Sequence, residues 1–174
     1  LAGEELDVLY SEVPAFARTD VEAAAAEKGI HLFSEKPQAL TMAVARRIDE
    51  AVSKAGVLST VCFRERYRPI FQEARRLLEK ERVVHVRFTS PSGLPTSPPD
   101  DAADSWHYQM DKAGGRAFDW GVHAVDYTRF MTGLDVAKAQ AFSHDPRRPI
   151  TPLSSSFNLC LSTGATADRT STRP

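Results

Sequence analysis

The chain has 174 residues, 42% of them apolar, which suffices for one domain with a real core or for parts of two. Its 22 basic and 23 acidic side chains give a formal charge of -1 without a long basic run, so nucleic acid is not an expected partner. No apolar stretch approaches the ~20 residues needed to span a bilayer, and no signal-peptide core follows the first residues. We therefore expect a cytoplasmic protein without a membrane partner.

The two cysteines and the two ends of the chain give further expectations. Cys62 and Cys160 lie far apart without metal-ligand spacing, so both are predicted to be buried thiols rather than a disulfide. The chain begins with Leu1 and closes on a polar stretch, 162–174, that lacks the periodicity of a final packed element. Both ends are therefore expected to be cut from a longer protein.

The first part of the chain alternates predicted strands with predicted helices. Thr19 or Asp20 is expected to cap an alanine-rich helix, and a second, amphipathic helix is expected from Thr41 to Gly56. The elements follow in the order strand 6–13, helix 19–29, strand 30–34, helix 41–56 and strand 57–63. This alternation is typical of a parallel sheet with right-handed crossovers.

After residue 63 the pattern changes. The run from Val83 to Thr89 alternates strictly between apolar and polar residues, which is typical of a half-exposed strand in an antiparallel sheet. A domain boundary is therefore expected near residues 64–68. The other predicted elements are a helix with Pro69 in its first turn, a surface loop at 90–105, a turn at Gly114-Gly115, a helix at 118–131, and strands at 136–142 and 157–162.

One lysine lies at a position in the sequence where a catalytic or ligand-binding residue would be expected. Residues 32–37 read Leu-Phe-Ser-Glu-Lys-Pro, an apolar run that stops on a lysine between a carboxylate and a proline. A lysine at the carboxyl end of a strand lies where open α/β sheets bind ligands, and Pro37 biases Lys36 toward extended geometry. A solvated surface lysine is the competing interpretation, and spacing alone does not decide between the two.

A second group of candidate residues lies on the predicted helix 118–131. Asp119, His123 and Asp126 are spaced i, i+4, i+7, so all three project from one face. A histidine between two carboxylates suits proton transfer, because an imidazole changes charge near neutrality and a carboxylate can hold its ring. The competing interpretation is a packed histidine, with Asp119 complementing the dipole at the start of the helix.

Several motifs occur in one order along the chain. They are Glu35-Lys36-Pro37, Arg66-Tyr67-Arg68-Pro69, Trp106, Gly114-Gly115 and Asp119-Trp-Gly-Val-His123-Ala-Val-Asp126. In this order, after a βαβ unit, they closely resemble the glucose-fructose oxidoreductase and inositol dehydrogenase family (Gfo/Idh/MocA), from about residue 6 to residue 163. The resemblance is specific, because independent motifs fall at compatible separations.

The resemblance implies an α/β fold in two parts. Residues 1–65 would be the C-terminal part of a Rossmann NAD(P)-binding domain, and residues 66–174 part of an α/β domain with an open, mostly antiparallel sheet. The implied activity is hydride transfer between NAD or NADP and a sugar or polyol-like hydroxyl or carbonyl. The second domain would bind the small-molecule substrate and support a homo-oligomer of the complete protein.

The resemblance also implies roles for single residues. Lys36 corresponds to the family's active-site lysine, and Asp119 and His123 correspond to its acid-base pair. His123 would take the hydroxyl proton while Asp119 holds its ring, and Lys36 would polarise the same oxygen. Lys36 and His123 are expected to meet the substrate in a cleft between the domains. The residues implied to contact the cofactor are Val13, Pro14, Glu35, Lys36, Pro37 and Trp106.

The chain departs from the family's pattern at two places. Where the family usually has Thr-Pro-Asn followed by a histidine, this chain has Val13-Pro14-Ala15 followed by Arg18. No Gly-x-Gly-x-x-Gly is present, and the first βα units, on the order of 60 residues at ~30 per unit, are missing. The 174-residue chain alone is therefore expected to bind NAD(P) poorly, because the pyrophosphate loses its main backbone donors.

Two other interpretations stay open. Arg18 favours a non-catalytic family member that binds a sugar-like ligand or a partner subunit. A metal-dependent hydrolase would use the carboxylate and histidine cluster together with His107 or His144, although no close His-x-His or His-Glu-x-x-His spacing supports it.

Overall fold

The computed structural model of the chain describes residue 3 and residues 5–91, 106, 109–114, 116–144 and 154–172. The chain divides into two compact units. The first unit comprises Leu1–Phe63 and Asp111–Gly114, and the second comprises Arg64–Met110 and Gly115–Pro174. A nucleotide-binding role for the first unit and a substrate-binding role for the second stay predictions.

A three-stranded parallel sheet organises the first unit, in the order β1-β2-β3. Leu32 pairs with both Leu9 and Ser59, so β2 is the central strand. The elements are β1 (Val8–Ser11), α1 (Val21–Glu27), β2 (His31–Ser34), α2 (Met42–Ala55) and β3 (Ser59–Val61). The predicted alternation of helices with parallel strands is confirmed.

Helix α2 begins and ends where its sequence predicts. The Thr41 hydroxyl oxygen accepts a hydrogen bond from the Val44 backbone N–H at 3.3 Å, which satisfies one of the free donors of the first turn. Gly56 follows the helix in the left-handed conformation, at φ 68°, which a residue with a side chain adopts only with strain. The helix is therefore delimited by a side-chain cap at one end and a glycine at the other.

The core of the first unit lies between α1, α2 and β2. Ala23, Ala25 and Ala26 of α1 are fully buried, and their small side chains let α1 pack closely on α2. The larger members of the core are Ile30, Leu32 and Ile48, with Ala51 beside them and Leu9, Val44, Val52 and Val57 at its margin. Each fully buried Leu or Ile contributes roughly 1.5–3 kcal/mol relative to an exposed one.

A four-stranded mixed sheet organises the second unit, in the order β4-β7-β6-β5. Strands β4 and β7 are parallel, and the other two pairs are antiparallel. The elements are α3 (Pro69–Leu78), β4 (His85–Pro91), α4 (Met110–Ala113), α5 (Arg116–Thr132), β5 (Val136–His144), β6 (Ser154–Leu161) and β7 (Thr166–Thr172). The predicted second sheet, open and mostly antiparallel, is confirmed.

The end of the chain contradicts the sequence expectation. The predicted polar tail contains β7, which pairs with β4 on one side and with β6 on the other. Ala167 and Arg169 of β7 are buried, whereas Asp168 lies between them on the sequence and accepts hydrogen bonds from His85 and Arg87 of β4. The strand lacks an apolar pattern because cross-strand pairs with charged side chains occupy one of its faces.

The neighbour of β4 also differs from expectation. Its strict alternation predicts an antiparallel partner, but β4 pairs with β7 in parallel, from His85 opposite Thr166 to Pro91 opposite Thr172. An alternating pattern reports burial of one face and leaves the direction of the neighbouring strand open. The prediction of a half-exposed strand in a mostly antiparallel sheet is therefore confirmed, although β4 itself pairs in parallel.

The structure confirms only part of what the sequence predicts for the surface loop, the glycine turn and the two cysteines. Ser90 and Pro91 belong to β4, while residues 92–105 and Gly115 lie outside the described residues. Cys62 and Cys160 are free thiols, as predicted, but both are only partly buried. Within the described ranges, no helix has the length and apolarity that crossing a membrane requires.

Candidate active site

Lys36 follows β2 at the carboxyl edge of the parallel sheet, where open α/β sheets bind ligands. Ser11 and Ser34, the last residues of β1 and β2, are paired in register. The pairing continues for one more residue, because the Glu35 backbone N–H donates to the Ser11 carbonyl at 2.9 Å. The Glu35 carboxylate then accepts the Lys36 backbone N–H at 2.9 Å, and the Lys36–Pro37 peptide is cis.

The predicted cofactor contacts of the first unit lie at this same edge. Val13 and Pro14 follow β1 just as the Glu35–Pro37 segment follows β2, and the two strands are parallel neighbours. The Val13 side chain is 50% exposed, and Pro14 precedes a short 3₁₀ helix, Ala15–Ala17. The edge therefore offers an exposed apolar side chain next to a polar segment, which suits a flat, partly polar ring.

Arg18, at the position of the family's histidine, is a buried residue of this edge. Its side chain is 1% exposed, and its guanidinium donates to the carbonyls of Glu35 at 2.6 Å and Pro37 at 2.5 Å. It also forms an ion pair with Glu22 at 3.2 Å. The Arg18 contacts in the structure are thus with the chain itself, and the non-catalytic interpretation that Arg18 prompted stays a prediction.

The His123 ring lies in a stack of aromatic side chains on α5. Trp120 and His123 have ring centroids 5.9 Å apart, and His123 and Tyr127 have centroids 5.9 Å apart with planes inclined by 25°. Phe71 of α3 and Phe88 of β4 hold Tyr127 in turn, at 4.7 and 5.6 Å between centroids. The orientation of the His123 ring is therefore limited by rings that three elements contribute.

Asp126 is bound by Arg66 and not by the histidine of its own helix. Arg66 Nε donates at 3.0 Å to each oxygen of the Asp126 carboxylate, and its Nη2 donates to Oδ1 as well. The Asp126 side chain is 3% exposed, and the hydrogen bond to it raises the pKa of the Arg66 guanidinium. The helical spacing did not predict this partner of Asp126, because the residue that binds the carboxylate lies 60 positions away.

Two titratable groups lie near His123. A hydrogen bond from Arg68, at 2.8 Å, holds the pKa of Glu65 below its usual range, and the positive charges of Arg68 and Arg64 lower it further. Glu65 therefore supplies a negative charge within electrostatic reach of the imidazole. Burial raises the pKa of the Tyr127 phenol, so this ring stays neutral beside the histidine.

Sequence reasoning missed three of these neighbours of His123. Trp120 and Tyr127 lie three residues before and four residues after it, a spacing that places their rings on the histidine's face and could have identified them. Glu65 lies in a 3₁₀ helix, Arg64–Tyr67, far away in sequence, and no local signal predicts its position. The two aromatic neighbours of His123 could therefore have been predicted from the sequence, whereas its charged neighbour Glu65 could not.

The predicted roles of Asp119 and Trp106 stay predictions. Asp119 is half-buried on α5, and its hydrogen bond to the His123 ring stays a prediction, as does a cofactor contact of Trp106. Among the described residues, no group of three or more His, Cys, Asp or Glu side chains is placed to hold a metal ion. His107 and the side chain of His144 lie outside the described part of the chain.

Dehydrogenases and oxidoreductases are among the proteins that this chain resembles. D-xylose 1-dehydrogenase (NADP(+)) 2 from Haloferax volcanii is 31% identical over 135 residues, which are 76% of this chain and 40% of that protein. Levoglucosan dehydrogenase from Pseudarthrobacter phenanthrenivorans is 26% identical over 151 residues, 84% of this chain and 38% of that protein. The crystal structure of an oxidoreductase domain protein from Kribbella flavida superposes with a TM-score of 0.82 at 30% identity, over 96% of this chain and 48% of that one.

The family matches cover both units of the chain. Residues 1–63 match the family described as "Oxidoreductase family, NAD-binding Rossmann fold", and residues 71–173 match the one described as "GFO/IDH/MocA C-terminal domain". The chain spans about two fifths of the length of the curated relatives named above. With one match for each of its units, the chain belongs to the Gfo/Idh/MocA family of oxidoreductases.

Proposed function

We propose that the full-length protein containing this chain is an NAD(P)-dependent oxidoreductase that moves a hydride to or from a CH–OH carbon of a sugar or polyol. The observation that carries the proposal is the lysine at the carboxyl edge of the parallel sheet. Hydrogen bonds on both sides of Lys36 fix its backbone, through the carbonyls of Glu35 and Pro37. A lysine held at a ligand-binding edge is suited to contact one substrate oxygen repeatedly.

Three side chains carry the proton chemistry in this proposal. The His123 ring acts as the general base that takes the proton of the substrate hydroxyl, and Asp119 keeps that ring oriented. The Lys36 ammonium donates a hydrogen bond to the same oxygen and stabilises the negative charge that develops there. The stack around His123 supports this role, because a ring that cannot turn freely presents the same nitrogen at each turnover.

The first unit would hold the reactive end of the cofactor. Val13, Pro14 and the Glu35–Pro37 segment lie at the sheet edge, and the exposed Val13 side chain gives a flat ring an apolar surface to pack on. The nicotinamide, when bound, supplies the acceptor or donor of the hydride. Trp106 stays a proposed contact from the second unit.

The substrate class rests on the reaction and on two relatives. The names of those relatives, a D-xylose dehydrogenase and a levoglucosan dehydrogenase, support a sugar or polyol. The proposed chemistry, a base that removes a hydroxyl proton and an ammonium that stabilises the oxygen left behind, requires a CH–OH group on the substrate, and both sugars in those names are uncharged. We therefore propose neutral sugars and polyols before charged substrates.

A steady-state assay of the full-length protein tests the function. The protein is incubated with NAD or NADP and a panel of aldoses, anhydrosugars and polyols, and formation of the reduced nicotinamide is followed by absorbance. We expect turnover with at least one substrate, and its loss in the Lys36→Met and Asp119→Asn variants. The matched controls, Lys54→Met on α2 and Asp111→Asn on α4, should keep wild-type turnover.

Two results would contradict the proposal. One is a folded full-length protein that binds a sugar, seen by calorimetry, but transfers no hydride with either nucleotide. This result would identify a non-catalytic binding protein. The other is turnover that chelators abolish and added divalent metal restores, which would point to the metal-dependent alternative.

A further inference from the structure

Arg18 is an almost fully buried charged side chain near the proposed lysine site, and the proposed mechanism does not use it. Two of its nitrogens are hydrogen-bonded to the carbonyls on either side of Lys36: Nη1 to Glu35 at 2.6 Å, and Nη2 to Pro37 at 2.5 Å. Arg18 lies 17 and 19 residues away from these partners in sequence. One side chain therefore holds the backbone before and after the lysine.

A second buried residue holds Arg18 in place. Glu22, on α1, is fully buried and accepts a hydrogen bond from Arg18 Nη1 at 3.2 Å. Its other oxygen accepts a hydrogen bond from Gln38 Nε2 at 3.3 Å. Because Gln38 directly follows Pro37, the carboxylate is joined to the lysine segment both through Arg18 and through Gln38.

The guanidinium is the group that suits this arrangement. Arg presents several N–H donors in a rigid planar fork, so one side chain can bind two carbonyls and one carboxylate with fixed geometry. A lysine ammonium is a single point on a flexible stem and does not reproduce the fork. Glu22 supplies the opposite charge without which a guanidinium so deeply buried would be unfavourable.

We propose that Arg18 is a positioning residue for Lys36: its guanidinium, held by Glu22, clamps the Glu35 and Pro37 carbonyls and thereby fixes where the lysine leaves the sheet edge. This role rests on the proposed function as far as turnover is concerned. The clamp on the backbone itself can be tested without any activity. Arg18 thus differs from the catalytic residues, because it acts on the reaction only through Lys36.

Hydrogen–deuterium exchange of the full-length protein tests the clamp directly. The variant is Arg18→Lys, which keeps the positive charge next to Glu22 but loses the fork. We expect faster amide exchange in the peptide covering residues 33–40, with little change in the peptide covering 57–63 of the same sheet. The matched control is Arg47→Lys, because Arg47 forms an ion pair with Asp20 in the same unit and both side chains are exposed.

Steady-state kinetics then tests whether the clamp acts through the lysine. We expect Arg18→Lys to lower kcat by roughly 10- to 100-fold with a smaller effect on KM, since small displacements of a reacting group cost this much. In a Lys36→Met background the same substitution should change kcat less than about twofold, because the group that Arg18 positions is already gone. A purely structural role would lower kcat by the same factor in both backgrounds.

Each outcome decides one question. Unchanged exchange in 33–40, or an equal rise in 33–40 and 57–63, overturns the clamp. Equal losses of kcat in both backgrounds overturn its action through Lys36. If wild-type protein transfers no hydride, the proposed function fails and the exchange result still decides whether Arg18 holds the segment. If Arg18→Lys does not fold, Glu22→Gln, which removes the charge that holds the guanidinium, should raise exchange in 33–40 alone, and no rise there contradicts the clamp.

Discussion

Two residues of the proposed site are held by different kinds of interaction. Lys36 lies on a segment after a strand, and its backbone is fixed by a buried ion pair and hydrogen bonds from Arg18. His123 lies in the middle of a helix, where the backbone is already fixed, and its ring is held by stacking on Trp120 and Tyr127. The charged network thus fixes a backbone, and the aromatic stack fixes a side-chain rotation.

The difference follows from what each element leaves undetermined. A segment outside a strand or helix has no repeating hydrogen bonds, so its carbonyls need other donors, and buried ones need strong donors. A helix satisfies its own backbone, so only the torsion angles of the histidine side chain remain. The energies should differ as well, because breaking a buried ion pair costs about 3–5 kcal/mol and losing an aromatic pair about 0.5–1.5 kcal/mol.

The largest expected effect is the loss of turnover when either the His123 or the Lys36 side chain is replaced. His123→Asn should lower kcat of the full-length protein by ~10²-fold or more, the usual worth of a positioned acid-base group, and should flatten the pH profile near neutrality. Lys36→Ala should also lower kcat. The double variant should lose less than the product of the two single effects, because residues that act as a unit are not additive.

The matched control for the histidine is His85→Asn in the same unit. His85 is exposed on β4 and hydrogen-bonded to Thr166 and Asp168, away from the ring stack. We expect wild-type kcat in this variant. A His123→Asn variant as active as His85→Asn would remove His123 from the proposed mechanism, and multiplicative losses in the double variant would separate its role from that of Lys36.

The second effect concerns stability and the charged network of the first unit. Glu22→Gln leaves Arg18 buried without a carboxylate, so we expect the free energy of unfolding to fall by about 3 kcal/mol. Asp20→Asn, in an ion pair with Arg47 that is exposed to solvent, should cost less than about 1 kcal/mol. Urea unfolding curves of the two variants give both values, and equal losses would mean that burial does not distinguish the two ion pairs.

The third effect concerns the aromatic stack of the second unit. Tyr127→Leu removes the ring that contacts Phe71, Phe88 and His123, and we expect it to cost about 1–3 kcal/mol. Turnover should fall only a few-fold, since the base remains and only its orientation loosens. Tyr67→Leu is the matched control, because Tyr67 is 78% exposed and its loss should change stability by less than about 0.5 kcal/mol.

These two networks also show how far the sequence could predict the structure. The alternating strands and helices of the first unit follow from local signals, such as the Thr41 cap and the Gly56 stop of α2. The ring stack also has a local signal, in the spacing of Trp120, His123 and Tyr127. The Arg18 clamp has none, because its partners lie 17 and 19 residues away and are backbone carbonyls, which every residue has.

The second unit also contains contacts that the sequence could not predict. Strand β7 reads Thr-Ala-Asp-Arg-Thr-Ser-Thr, and a buried arginine, Arg169, takes a place that an apolar residue occupies in an ordinary strand. The ion pair of Asp126 with Arg66 joins positions 60 residues apart, so helical spacing placed Asp126 on the histidine's face and missed its partner. Local patterns predicted the elements, whereas long-range charge pairing determined which candidate residues contact each other.

The smallest expected effect is a pH dependence from Tyr127. Burial penalises the phenolate first, and the negative charges of Glu65 and Asp126 add to this, so the pKa of Tyr127 is raised above its value of about 10 in an unfolded chain. As the pH passes about 10, the unfolded state loses this proton and the folded state keeps it. The stability that the neutral phenol contributes is therefore complete below about pH 10 and is lost as the pH rises toward the folded-state pKa.

Tyr127→Phe isolates this contribution, because the variant keeps the ring stack and removes the titrating group. The difference in free energy of unfolding between wild type and variant should be constant up to about pH 9 and should then shift in favour of the variant up to about pH 11. The shift should stay well below 1.4 kcal/mol per pH unit, since solvent screens a half-buried ring. All other groups titrate in both proteins and cancel in the difference. A difference that stays constant across the whole range would mean that the phenol is as free to ionise beside His123 as in the unfolded chain.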